Sequence, residues 1–171
     1  MGLARGAALV AATITMGIMT GVFHLYAYAI MPGLRSTDDR TFVGAFQSID
    51  RSIINPLFMA TFFGALVFTG LAALLALGGD GRSLLPWVVA ALVLYLLVVV
   101  LTIAVNVPLN DQIKAAGDSD QIANLTAVRD RFNEAKWVRW NMVRAMASTV
   151  AFGCLAWALV LYGRMTASGG T

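Results

Sequence analysis

The sequence predicts an all-α protein: an antiparallel four-helix transmembrane bundle with short amphipathic helices in its first and third loops. Three observations carry that expectation. The 171-residue chain is 59% apolar and only 12% charged, against roughly 45–50% and about 25% in an ordinary soluble domain. The apolar residues gather into four blocks of about 20, the length that crosses a hydrocarbon layer about 30 Å thick. The blocks do not alternate polar with apolar, so they satisfy their backbone in lipid as helices rather than as barrel strands. Such a composition excludes a soluble enzyme, a nucleic-acid-binding domain and a disordered chain. The expected surroundings are a lipid bilayer, with no nucleic acid as partner.

The four spans form one integral membrane domain over residues 1–171. The first runs from about Ala7 to Ile30 and is expected to end at Met31-Pro32-Gly33. It is too long for a cleaved signal peptide, and further spans follow it. The second runs from about Ile53 to Leu77, opening at Asn55-Pro56 and stopping at Gly78-Gly79. The third covers about Pro86–Val107 and the fourth about Asn141–Tyr162. Between the first two spans, Phe42, Val43, Phe46 and Ile49 recur at helical spacing, which predicts a short amphipathic helix. In the third loop Ile113, Ile122, Leu125, Val128 and Phe132 form a second apolar stripe, broken at Ala116-Gly117-Asp118-Ser119. Residues Arg129 to Arg139 are expected to run straight into the fourth span.

The formal charge of +3 reads as loop charge. Arg5, Arg82 and Arg164 lie on the side of the termini. Arg35, Arg40, Arg51, Lys114, Arg129, Arg131, Lys136 and Arg139 lie on the side of loops one and three. The positive-inside rule then puts loops one and three in the cytoplasm and both termini outside, as in a bacterial inner (plasma) membrane.

Chemistry is narrowed by scarcity. One cysteine, Cys154, excludes an intrachain disulfide and a C-x-x-C redox pair. One histidine, His24, excludes a multi-histidine metal site and a bis-histidine haem within one chain. A metal-bound oxygenase would need Asp50 or Glu134 to reach His24, so no metal and no cofactor are expected. Every Asp and Glu lies in a loop or at its edge, which argues against proton-coupled transport.

The unusual polar groups of all four spans fall toward the same end. They are His24 in the first, Asn55 at the start of the second, Asn106 and Asn110 at the end of the third, and Trp137, Trp140, Asn141 and Arg144 at the start of the fourth. Trp137, Trp140/Asn141 and Arg144 recur at i, i+3/i+4 and i+7, on one helical face. Gly17, Gly21, His24 and Tyr28 share another, where two small residues admit a close neighbour. Each group has an ordinary reading. A lone histidine can hydrogen-bond a neighbouring helix, Asn141 and Arg144 can cap or snorkel, and the tryptophans can form an interfacial belt. Their common location favours an apolar pocket with a few convergent polar groups.

Three segments carry a resemblance: Gly21-Val-Phe-His24 with Met31-Pro32, Asn106-Val-Pro-Leu-Asn110, and Trp137-Val-Arg-Trp140-Asn141-Met-Val-Arg144. In these, and in its length and span count, the chain resembles the anthrone oxygenase family of small four-span membrane proteins. The resemblance implies a cofactor-independent oxidation of an anthrone by O₂. Its small hydrophobic aromatic substrate would be flat and polyketide-type. Removing one proton from the anthrone leaves an electron-rich anion that can itself reduce O₂. His24 would be the base, with an unperturbed pKa of about 6.5. Asn106, Asn141 and Arg144 would stabilise the developing oxyanion. Tyr28, Asn55, Asn110, Trp137 and Trp140 would line the substrate site, with the tryptophans stacking on the ring. The alternative is a non-catalytic membrane module that binds a lipid-like molecule or a partner protein. The glycines of the first span are compatible with a homo-oligomer.

Overall fold

The computed structural model describes residues 2–168, and four of its helices are long and apolar enough to cross a membrane. The helices in chain order are α1 (Gly2–Arg35), α2 (Asp39–Ile53), α3 (Pro56–Ala76), α4 (Leu85–Lys114), α5 (Leu125–Phe132) and α6 (Glu134–Ser168). Helices α1, α3, α4 and α6 form the bundle of an integral membrane protein. Helix α1 packs on α3 and α6, and α4 packs on the same two. The short turn Gly79–Ser83 joins α3 to α4 as an antiparallel hairpin. The expected all-α four-helix architecture is therefore present, with no strand among the described residues.

The bundle interior is built largely from alanine. Ala12, Ala65, Ala72, Ala91, Ala145 and Ala151 are fully or almost fully buried, beside larger fillers such as Leu9, Met16 and Leu155. Lipid is as apolar as leucine, so spans associate through close packing and internal hydrogen bonds rather than hydrophobic burial. Gly17 serves that packing, because a Cβ there would stand 3.0 Å from the Phe152 ring. Gly21 has no atom within 4 Å of such a Cβ. The phenol of Tyr95 donates to the Phe62 carbonyl at 2.9 Å and ties α4 to α3. Arg5 sits 9% exposed and donates to the Leu75 carbonyl in the last turn of α3 and to the Gly78 carbonyl just beyond it.

Two prolines do not act as the helix stops their sequence suggests. Helices α1 and α4 both continue beyond Pro32 and Pro108. In each, one wide π-turn precedes the proline, over Tyr26–Ile30 and Thr102–Asn106. Met31 donates its N–H to Tyr26 O, and Val107 donates to Thr102 O, each five residues back. A proline ring clashes with the carbonyl four residues before it, and the wider turn makes room for it. The helices therefore continue past Ile30 and Val107.

A polar-edged cap closes the bundle at the loop-one and loop-three end. It has its own core, in which Phe42, Val43, Phe46, Ile113, Phe132 and Trp137 are at most 3% exposed. Helix α2 is amphipathic as its spacing predicts, and Asp38 caps its start by accepting the N–H of Thr41 at 3.0 Å. Gln47, 1% exposed, donates to the carbonyls of Ile113 and Gly117 and closes the end of α4. The expected continuous run from Arg129 into the last span is interrupted. Asn133 adopts a left-handed conformation with φ 52° and separates α5 from α6.

Arg129 pins the cap together. It donates to the Thr37 and Arg35 carbonyls, pairs with Asp39 at 3.0 Å and lies over the Phe42 ring at 4.2 Å. The hydroxyl of Thr126 and the Arg129 guanidinium hold the Asp39 carboxyl below the usual carboxylate range, and the Thr41 N–H does the same for Asp38. A carboxyl whose folded pKa is depressed stabilises the fold above its unfolded value of about 3.9 and loses that contribution as pH falls through the folded value. The α2–α5 clamp is therefore expected to loosen below about pH 4 while the apolar bundle persists. Hydrogen exchange at pH 7 and pH 3, corrected for intrinsic rates, checks this. Equal protection of α2 at both values would refute it.

Candidate active site at the cap end of the bundle

A cavity of about 220 Å³ lies where the bundle meets the cap. Phe23 and Tyr26 of α1, Asp50 of α2, Phe58 and Phe62 of α3, and Thr102 of α4 contribute to its wall. Asn106, Asn110, Trp137 and Arg144 complete its polar side. Ile54, Phe63, Ile103 and Val107 also border it and are 40–61% exposed on the outer surface. The cavity thus has exposed apolar edges on the outer surface of the bundle.

Arg144 is its principal charged group. It is 5% exposed, although it stands one turn inside an apolar span. Its Nη1 donates to the Thr102 hydroxyl at 3.1 Å and its Nη2 to the side-chain Oδ1 of Asn141 at 3.0 Å. Asn141, 1% exposed, donates in turn to the Phe23 carbonyl at 3.0 Å. The guanidinium lies 4.8 Å from the centre of the Phe23 ring and 5.6 Å from that of Trp137. Among the described residues no carboxylate lies within ion-pair distance of it, and its Nε has no hydrogen-bond partner. A buried cation without a counter-ion is costly. Here neutral dipoles and ring faces hold it, and one donor is left over.

Asn106 supplies the complementary group. It is 1% exposed, and its Nδ2 reaches the Trp137 carbonyl at 3.4 Å while its Oδ1 has no partner. A second chain runs along the cap side. Trp137 Nε1 donates to Asn110 Oδ1 at 2.7 Å, and Asn110 Nδ2 donates to Asp50 Oδ1 at 2.6 Å. Asp50 Oδ2 pairs with Lys114 at 3.0 Å. Both π-turns flank the cavity, through Tyr26 and through Thr102 to Asn106. Such wide turns interrupt regular helices mostly at functional sites. Here the turn in α4 presents Thr102 and Asn106 to the same space.

The residues expected from the sequence divide into two groups. Asn106, Asn110, Trp137 and Arg144 line one cavity, and Asn141 holds Arg144 from behind. His24, Tyr28, Asn55 and Trp140 are not part of its wall. His24 Nε2 is 2.7 Å from the Thr149 hydroxyl, and its ring stacks on Tyr28, which is 65% exposed. Asn55 accepts the Phe58 N–H and starts α3. Trp140 is half-buried on the flank of α6. Sequence reasoning passed over Tyr26 and Thr102 and weighed Asp50 only as a metal ligand. Asp50 carried a signal, since it follows Val43 and Phe46 by seven and four residues and so shares the apolar face of α2. No described cluster brings three His, Cys, Asp or Glu side chains together.

Neither the curated proteins nor the solved structures contain a match to the chain. The family profile described as anthrone oxygenase matches residues 58–154, more than half of the sequence. That region holds Thr102, Asn106, Asn110, Trp137, Asn141 and Arg144, the residues from α4 and α6 that build the polar side of the cavity. With that match, the chain belongs to the anthrone oxygenase family.

Proposed function

We propose that this protein is a membrane-embedded oxygenase that binds a flat, hydrophobic, anthrone-like substrate in the cavity and lets the substrate anion react with O₂. The observation that carries the reading is Arg144, a buried guanidinium with a free Nε and, among the described residues, no carboxylate within ion-pair distance, in a cavity walled mostly by aromatic and aliphatic groups. An anthrone loses a methylene proton to give an anion whose charge spreads onto its ketone oxygen. A fixed donor aimed at that oxygen favours the anion over the neutral ketone, and the effect is large where water is excluded. Phe23, Phe58, Phe62 and Trp137 offer faces and edges for a ring system. Asn106 Oδ1, buried without a partner, would accept a substrate hydroxyl hydrogen.

The overall step balances without an external reductant. The methylene loses two hydrogens, one atom of O₂ becomes the new carbonyl oxygen, and the other leaves as water. The exposed apolar rim at Ile54, Phe63 and Ile103 suits entry of such a substrate from the bilayer. In the orientation favoured by basic residues, the cavity lies at the cytoplasmic end of an inner-membrane protein.

The test is oxygen uptake by the detergent-purified chain supplied with anthrone. Uptake above the spontaneous rate, with formation of anthraquinone, is the expected result. Folded protein that gives no uptake would refute the reading and favour a non-catalytic module that binds a lipid-like molecule.

A further inference from the structure

We propose that Asp50 is the catalytic base of this site, with Lys114, Asn110 and Trp137 as its positioning residues. The inference rests on the oxygenase reading of the cavity and names the group that takes the substrate proton. Asp50 is the one carboxylate in the described cavity wall, and it is 6% exposed. His24 is absent from that wall and is engaged with Thr149 of α6.

Its surroundings fix it for that work. Asn110 could present either end of its amide to Asp50. The Trp137 indole N–H occupies its Oδ1 at 2.7 Å, so its Nδ2 faces Asp50 Oδ1 at 2.6 Å. Lys114 Nζ lies 3.0 Å from Asp50 Oδ2 and is itself held by Asp111 at 3.0 Å. Asn110 fills one of the roughly four lone-pair sites of an ionised carboxylate, and Oδ2 pairs with Lys114 as an ion pair while accepting no hydrogen bond, so capacity for a proton remains. The Lys114 side chain is 28% exposed, so this edge of the site reaches water while the opposite edge is apolar.

In the proposed step a methylene C–H bond of the substrate breaks and an O–H bond forms on Asp50. The electron pair stays on the substrate as an enolate, whose oxygen faces Arg144 Nε. The proton then leaves Asp50 to water along the Lys114 edge, which regenerates the carboxylate. No oxidant enters this half-reaction. O₂ acts afterwards on the anion.

Anaerobic hydrogen–deuterium exchange at the anthrone methylene isolates the step. The purified full chain is incubated with anthrone in D₂O without O₂, and deuterium incorporation is followed by mass spectrometry. Wild type is expected to exchange above the protein-free rate, and Asp50→Asn to lose about 10²-fold or more of that excess. Asp50→Asn should still bind anthraquinone, read by quenching of tryptophan fluorescence, which a merely structural role would not preserve. Asp50→Ser with added formate serves where Asp50→Asn does not fold, and recovery of exchange by formate is expected. Wild-type exchange and O₂ uptake alongside full exchange in folded Asp50→Asn, or no rescue by formate, would overturn Asp50 alone. Loss in His24→Ala with exchange kept in Asp50→Asn would return the role to the histidine. Absence of both exchange and uptake in wild type would instead overturn the oxygenase reading.

Discussion

Replacing Arg144 with methionine is expected to reduce anthrone-dependent O₂ uptake by about 10²–10³-fold, the cost of losing a preorganised oxyanion donor. The same change is expected to leave thermal stability equal or higher. The reasoning lies in what surrounds the guanidinium. Its Thr102 and Asn141 partners are neutral, and no carboxylate among the described residues repays its desolvation. A methionine of similar length keeps the packing against Phe23 and Trp137 and removes the buried charge. The hydroxyl of Thr102 keeps a local acceptor in the Val98 carbonyl, and Asn141 keeps the Phe23 carbonyl. Arg144→Lys is expected to recover little activity, because a single compact ammonium nitrogen does not reproduce the fork whose two Nη reach Thr102 and Asn141 and leave Nε for substrate. Uptake and melting temperature measured on the same preparations decide the matter. Activity within threefold of wild type in Arg144→Met would sink the oxyanion role. A large loss of stability would show instead that the charge serves the fold.

The largest structural effect is expected at Phe132. Truncation to alanine should cost about 3–5 kcal/mol, the usual range for a buried phenylalanine. Its ring is fully buried and lies 4.5 Å from the centre of Phe46, 5.8 Å from Phe42 and 6.4 Å from Trp137. It joins α5, α2 and the start of α6. Helix α5 has only eight residues, too few to persist without packing. The loss should therefore fall on the cap and leave the spans folded. Because α2 carries Asp50 and Trp137 holds Asn110, activity should fall with the cap. Hydrogen exchange resolved by segment provides the check. Faster exchange confined to α2 and α5 is expected, and an equal rise across α1, α3, α4 and α6 would contradict a separate cap core.

Much of this could be read from residue order because the bilayer leaves few choices. A run of about 20 apolar residues in lipid has to be a helix, since every backbone group needs an internal partner. Four such runs, two amphipathic stripes and the crowding of polar groups at one end followed from composition and period. The inward face of α6 was equally accessible. Trp137, Asn141 and Arg144 share it because their spacing matches the helical repeat, and all three are at most 5% exposed.

Other features depended on distant parts of the chain. Pro32 and Pro108 look like stops, and only the π-turns before them show how α1 and α4 carry on. Asn133 looks like one more polar helix residue, and its left-handed backbone comes from the need to turn α5 onto the cap. His24 and Asp50 make the sharpest contrast. Local sequence favours the histidine, the only one in the chain and a residue suited to proton transfer near neutral pH. Which of the two borders the cavity is set by the rotation of α1 against α6 and by the docking of α2 across the bundle mouth. Periodicity fixes the faces of a helix relative to one another. The direction each face takes is settled by packing against elements far away in the chain, and here that packing puts Asp50 in the cavity wall and leaves His24 outside it.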